Sequence, residues 1–232
     1  MTFRTQVFNN FLFGVTKLET LRLASCNLTE GSGQYIGELL QSQTLKELDL
    51  TNNNLKDSGV EQLLSRGLAS ADCTLEKLIL KKCGITLKNE SCSKVVSVAI
   101  KSEKCHLREL DLSYNYLLDS GAKAVIVAVV DASNKTERLS LSLCSITEDG
   151  CTGLANALRG NPSHMKHLDL TFNHPGELNN SNSALEGGEF RLRKGEDRCT
   201  SKMSLFTEKK NFINMSLFDT FIQNDLHYSS NH

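Results

Sequence analysis

Four residues near the start of the chain's last third have the types and spacing of a metal site. His164 and His167 lie three residues apart, and Asp169 and His174 follow closely. Imidazole and carboxylate groups are common zinc ligands. However, these positions also fit a repeating leucine pattern in which His167 and Asp169 would face solvent from a strand and His174 would lie on a turn. We therefore expect no bound metal and no cofactor here.

The remaining reactive side chains show no catalytic arrangement. The chain has no Gly-rich phosphate loop and no HExxH, GxSxG or paired CxxC motif. Serine, histidine and aspartate are plentiful, but nothing in the sequence places a nucleophile beside a base. We therefore predict a protein that is not an enzyme.

Charge and hydropathy restrict the cellular compartments and the classes of partner that we expect for this chain. Lysine and arginine number 26 against 27 acidic residues, which argues against nucleic acid and anionic membranes as partners. No apolar run approaches the roughly 18 to 20 residues that span a bilayer, and the N-terminal stretch lacks a signal-cleavage pattern. We expect a cytoplasmic protein whose cysteines are reduced thiols, with structural roles for the seven that lie in the repeat region.

The chain has 36 leucines, and one leucine-containing pattern occurs six times along it. The copies begin 27 to 32 residues apart and share the template LxxLxLxx(N/C)xL, which is that of a leucine-rich repeat. They read LETLRLASCNL from Leu18, LKELDLTNNNL from Leu45, LEKLILKKCGI from Leu75, LRELDLSYNYL from Leu107, TERLSLSLCSI from Thr136 and MKHLDLTFNHP from Met165.

The template also predicts the elements that position these residues. Leucines one, four and six of a unit should face one interior from a short strand, and neighbouring strands should stack in parallel. Apolar residues at helical spacing follow each strand, and acidic or hydroxyl residues such as Asp57, Asp119 and Thr147 are expected to be N-caps. We predict an α/β leucine-rich-repeat solenoid, a curved horseshoe with parallel strands on the concave face and helices on the convex face.

The ninth position of each unit should form a structural ladder along the solenoid. A buried Asn there can bond the main chain of its own turn and of the adjacent one. The column alternates between cysteine and asparagine, and its members are Cys26, Asn53, Cys83, Asn115, Cys144 and Asn173. We assign residues 1–17 to an N-terminal cap, 18–176 to about six units and 177–232 to a divergent, partly disordered tail.

The alternation resembles the ribonuclease-inhibitor-like class of leucine-rich repeats. Within that class, LDLTNNNLKDSGVEQL and LDLSYNYLLDSGAKAV look like repeats of NLR proteins, the NACHT and leucine-rich-repeat receptors. LDLTFNHPG, followed by GGEFRLRKG, is similar to the end of the repeat region in the NLR group expanded in bony fish. No P-loop is present, so the resemblance implies a fragment without the NACHT nucleotide-binding part.

The exposed strand positions are the candidate binding residues. One interpretation is a solvated polar face whose Asp residues stabilise the ends of the strands. The other is a mixed-charge surface that binds a protein. The candidates are Arg22, Glu47, Asp49, Lys77, Lys81, Glu109, Asp111, Tyr114, Arg138 and Phe172.

Three functions remain open for such a module. The first is the sensing or regulatory repeat part of an NLR-like innate-immune protein, with NLR relatives as possible partners. The others are a ribonuclease-inhibitor-like binding protein and a regulator of the Ran GTPase-activating type. A fourth hypothesis is a product that folds poorly, because repeat arrays need capped ends.

Overall fold

The computed structural model describes residues 18–42, 44–160, 165–174, 192–194 and 201–206. Six three-residue strands lie side by side in chain order, and each is parallel to the next. They are β1 Thr20–Arg22, β2 Glu47–Asp49, β3 Lys77–Ile79, β4 Glu109–Asp111, β5 Arg138–Ser140 and β6 His167–Asp169. The predicted leucine-rich-repeat solenoid is thereby confirmed.

A helix follows each of the first five strands and covers the inner side of the sheet. The helices are α1 Ser32–Ser42, α2 Lys56–Leu63, α3 Glu90–Lys101, α4 Leu118–Val129 and α5 Glu148–Gly160. Helix α2 continues into a π-helical turn, Leu64–Leu68, that buries Leu64, Gly67 and Leu68. In α3 the Asn89 side chain accepts a hydrogen bond from the Ser91 N–H at 2.9 Å and so caps the helix.

The leucine excess fills one continuous core. The middle residues of neighbouring strands are paired in register, and the leucines at this position in β2 to β6 are no more than 3% exposed. They are Leu48, Leu78, Leu110, Leu139 and Leu168. Each leucine therefore packs against its counterpart in the next unit, and the array has a shared core.

The asparagines of the ladder position hold adjacent turns together. Asn115 Oδ1 accepts the N–H groups of Cys83 and Ile85 at 2.9 and 3.1 Å. Its Nδ2 donates to the carbonyls of Leu80 and Leu112, both at 2.8 Å. Asn53 and Asn173 make the same set of contacts with their preceding units. Each amide thus satisfies four main-chain groups at once.

The cysteine thiols of the same column also donate hydrogen bonds to the preceding unit. The thiol of Cys83 donates to the Leu50 carbonyl of the preceding unit at 3.2 Å, and that of Cys144 donates to Leu112 at 3.2 Å. Their own N–H groups are taken by the asparagine of the following unit. Asn and Cys thus donate to the same carbonyl of the preceding unit, that of its sixth-position leucine, whereas each asparagine Oδ1 also accepts N–H groups from that unit.

The expected N-caps at Asp57 and Asp119 are wrong. The N-cap positions of α2 and α4 are Leu55 and Leu117, and neither makes a side-chain capping bond. Asp57 instead accepts hydrogen bonds from the N–H and hydroxyl of Thr86, both at 2.7 Å. Asp119 does the same for Thr147. These carboxylates join one unit to the next, which a single unit's sequence does not reveal.

Gly150 shows how closely the residues around the Asp119–Thr147 contact are packed. A Cβ at Gly150 would collide with Asp119 Oδ1 and lie 2.6 Å from Ile146 Cγ2. We predict that Gly150→Ala lowers the free energy of unfolding by roughly 1–3 kcal/mol, because Asp119 must leave Thr147 or the helix must shift. Gly153→Ala is the matched control, since a Cβ there meets nothing within 4 Å. Chemical denaturation should show this control unchanged or stabilised by about 1 kcal/mol; equal losses would contradict the packing.

Two further strands extend the sheet beyond β6. Strand β8 (Ser201–Phe206) pairs antiparallel with β6, and β7 (Leu192–Lys194) pairs antiparallel with β8. Both strands belong to the segment 177–232. The edge of β6 is therefore paired along its backbone. The rest of that segment and residues 1–17 lie outside the described residues.

Candidate protein-binding face

The six parallel strands present two columns of side chains on their solvent side, which we call the concave face. Both columns are in register along the sheet. The first contains Thr20, Glu47, Lys77, Glu109, Arg138 and His167, and the second contains Arg22, Asp49, Ile79, Asp111, Ser140 and Asp169. The predicted candidates on strands thus share one surface.

Opposite charges on adjacent strands pair on the concave face. Arg22 donates to Glu47 at 2.9 Å, and Lys77 lies 3.0 Å from Glu109. These side chains remain partly exposed, so each pair contributes only about 0–1 kcal/mol to stability. Within the described residues, Arg138 and His167 make no ion pair. The pairs are weak enough for a partner's charges to replace them.

The aspartates of the second column accept hydrogen bonds from the second residue after each of their own strands. Asp49 accepts from the N–H and hydroxyl of Thr51 at 2.9 and 2.6 Å. Asp111 accepts from the Ser113 N–H at 2.8 Å, and Asp169 accepts from the Thr171 N–H at 2.9 Å. One oxygen of each carboxylate is therefore used locally, which favours a structural role for these three residues.

Sequence reasoning missed an acidic centre beside the first column. Glu137 binds Arg108 and Lys166, each at 2.7 Å, which directly precede β4 and β6 on either side. The hydrogen bond from Lys166, together with the charges of Lys166 and Arg108, lowers the pKa of Glu137. The signal in the sequence was the alternation of Arg108, Glu137 and Lys166 at one repeat position, 29 residues apart.

Tyr114 lies at the turn after β4, beside the concave face. The Lys81 ammonium lies 4.5 Å from the centre of its ring, which is within cation–π range. Sequence reasoning also missed a second pair, Lys88 over Tyr116 at 5.4 Å. Phe172, the remaining candidate, is half-buried at the equivalent turn after β6.

The cysteines of the array are buried thiols. Burial raises the pKa of Cys83 and Cys151 to about 11 and that of Cys92 and Cys144 to about 12. It also raises the pKa values of Cys73 and Cys105. These six side chains are therefore protonated at neutral pH, where a thiol is a poor nucleophile and metal ligand. Cys26 is exposed at the first turn.

His167 is half-buried on β6 and His174 is exposed at the following turn, while His164 lies outside the described residues. In the part of the chain that the structure describes, no three His, Cys, Asp or Glu side chains are grouped to hold a metal ion. None of the described helices combines the length and apolarity that crossing a membrane requires.

Comparison with known proteins identifies the array. A family model described as leucine-rich repeat matches residues 41–64 and 103–125. Over 158 residues the chain is 39% identical to ribonuclease inhibitor of Mus musculus. The aligned region covers 68% of this chain and 33% of the inhibitor. The chain carries a ribonuclease-inhibitor-like leucine-rich-repeat array.

The same array is similar to the repeats of NLR proteins. It is 40% identical over 157 residues to the NACHT, LRR and PYD domains-containing protein 5 of Bos taurus, covering 67% of this chain and 14% of that protein. The human protein 14 of this series is also 40% identical, over 158 residues. The chain thus spans about a third of the inhibitor and about a seventh of the NLR proteins. The resemblance to both groups is confirmed.

Proposed function

We propose that this leucine-rich-repeat array acts by binding another protein on its concave face, as the sensing or regulatory repeat part of an NLR-like innate-immune protein in the cytoplasm. On this proposal NLR relatives are candidate partners. The observation that carries the proposal is the in-register pair of outward columns.

The composition of the face supports a protein partner. Acidic and basic side chains alternate along the first column, from Glu47 through Lys77 and Glu109 to Arg138. Tyr114, an aromatic residue of the kind enriched in interfaces, adjoins them. Mixed charge of this kind confers specificity towards one partner rather than general attraction to a polyanion.

The test compares variants of the concave face with variants of other surfaces in affinity capture from cytosol. The double variant Glu109→Ala/Arg138→Ala removes one acid and one base from the first column. Glu103→Ala/Lys123→Ala removes the same charges from exposed positions outside the strands. Quantitative mass spectrometry should show proteins that are lost about tenfold from the first variant and retained by the second. Equal retention by both variants contradicts the proposed face.

A ribonuclease-inhibitor-like activity is the second candidate, because the identity to ribonuclease inhibitor extends over 158 residues. The mixed charge of the first column favours this inhibitor activity less, because Lys77 and Arg138 would repel a strongly basic ribonuclease. Titration with pancreatic ribonuclease A distinguishes the two functions. Inhibition at stoichiometric ratio would favour the inhibitor; unchanged activity favours the regulatory module.

A further inference from the structure

The turns that follow β3 and β4 carry a cluster of lysine and tyrosine side chains, which we call the rim patch. Its members are Lys81, Lys82, Lys88, Tyr114 and Tyr116. Main-chain hydrogen bonds place the two turns side by side: the Lys82 N–H donates to Ser113 at 3.0 Å, and the Tyr116 N–H donates to Ile85 at 3.0 Å.

The backbone at the centre of the patch is unfavourable for the residues it holds. Lys82 and Tyr114 have φ angles of 55° and 59°, in the left-handed region that asparagine tolerates and bulky residues rarely adopt. All six units have left-handed backbone at this position, and the other four units place Ser25, Asn52, Leu143 and Phe172 there. Tyr114 recovers little by packing, because it is 47% exposed. The left-handed backbone therefore belongs to the repeat as a whole, whereas the exposed ring of Tyr114 is aromatic surface of the kind that is enriched in protein interfaces.

The lysines of the patch have no acidic partner inside the array. Within the described residues, the ion pairs of the array do not include Lys81, Lys82 or Lys88. Two of the three lie instead over tyrosine rings, Lys81 over Tyr114 and Lys88 over Tyr116. Two positive charges are thus held over two exposed rings, and among the described residues none of the three lysines has an ion-pair partner.

We propose that the rim patch binds an acidic segment of the protein partner. Carboxylate groups of the segment contact the three lysines, and its apolar side chains pack against Tyr114 and Tyr116. Glu109 and Asp111 precede the same turn on β4 and confine the positive charge to the turns. A short acidic segment fits this small patch, whereas a longer polyanion such as nucleic acid would extend over these carboxylates and be repelled. The proposal rests on the proposed protein-binding function and specifies the chemistry of the partner.

The test titrates the full-length chain with a short fluorescein-labelled peptide of alternating Glu and Phe, followed by fluorescence anisotropy. We expect binding that weakens with added NaCl and that falls about tenfold in the double variant Lys81→Ala/Lys88→Ala. Tyr116→Ala should also weaken binding. Lys123→Ala, an exposed lysine of α4, is the matched control and should bind as the unsubstituted chain does. Far-UV circular dichroism checks that each variant is folded.

Three outcomes would overturn the proposal: no binding of the Glu–Phe peptide, equal binding by the Lys81→Ala/Lys88→Ala variant, or tighter binding of a single-stranded oligonucleotide of equal charge. The same variant is also used in the cytosolic capture described above. If it keeps the partners that Glu109→Ala/Arg138→Ala loses, the proposed function stands and the rim patch is not part of it. If Glu109→Ala/Arg138→Ala keeps its partners while the rim variant loses the peptide, the rim patch stands and the concave face fails.

Discussion

Asn115→Ala is expected to lower the free energy of unfolding by about 3–5 kcal/mol. The amide is buried and satisfies the N–H groups of Cys83 and Ile85 and the carbonyls of Leu80 and Leu112. A buried main-chain group that loses its partner costs roughly 1–3 kcal/mol. The sum stays below the simple total, because water can reach a cavity left at the turn. Guanidinium denaturation measures the loss.

Two related variants make this prediction specific to the ladder. Asn54→Ala changes an exposed asparagine that follows the ladder residue Asn53, two units before Asn115, and we expect a change within about 0.5 kcal/mol. Asn115→Cys introduces the residue that occupies this position in the adjacent units. It should still destabilise the chain, because a thiol cannot accept the N–H groups of Cys83 and Ile85 as the amide does. Full stability of Asn115→Cys would show that the two residue types are interchangeable.

Leu110→Ala is expected to cost roughly 2–5 kcal/mol, the range for deleting a fully packed leucine. Leu110 lies at the centre of β4, is 3% exposed, and is paired in register with Leu78 and Leu139. The truncation therefore leaves a cavity shared by three units. Glu109→Ala, one residue earlier on the solvent side, is the control and should change stability by about 0.5 kcal/mol or less.

Hydrogen exchange locates the effect of Leu110→Ala. Because each unit contacts only its neighbours, amide protection should fall most at β3, β4 and β5 and least at β1. A loss of stability below about 0.5 kcal/mol, or protection lost evenly along the chain, would contradict the strand register.

The spacing of the leucines was sufficient to predict the architecture. A pattern that recurs six times with period 27–32 leaves one way to bury its apolar face, which is to stack parallel strands. For the same reason the outward positions, Glu47, Lys77 and Glu109 among them, could be named in advance. The ladder position was also legible, since a polar residue at a constant place in an apolar pattern needs main-chain partners.

The tertiary structure decided which side chains meet across units. Asp57 bonds Thr86 rather than capping its own helix, and Lys88 reaches Tyr116. The unit lengths differ, so residues 28 to 33 apart can become neighbours, and sequence spacing alone does not select among them. Side-chain direction at the turns also depends on left-handed backbone, as at Tyr114, which propensity disfavours and only the stacked turns stabilise. The leucine pattern therefore determined the solenoid, whereas contacts between units decided the chemistry of its surface.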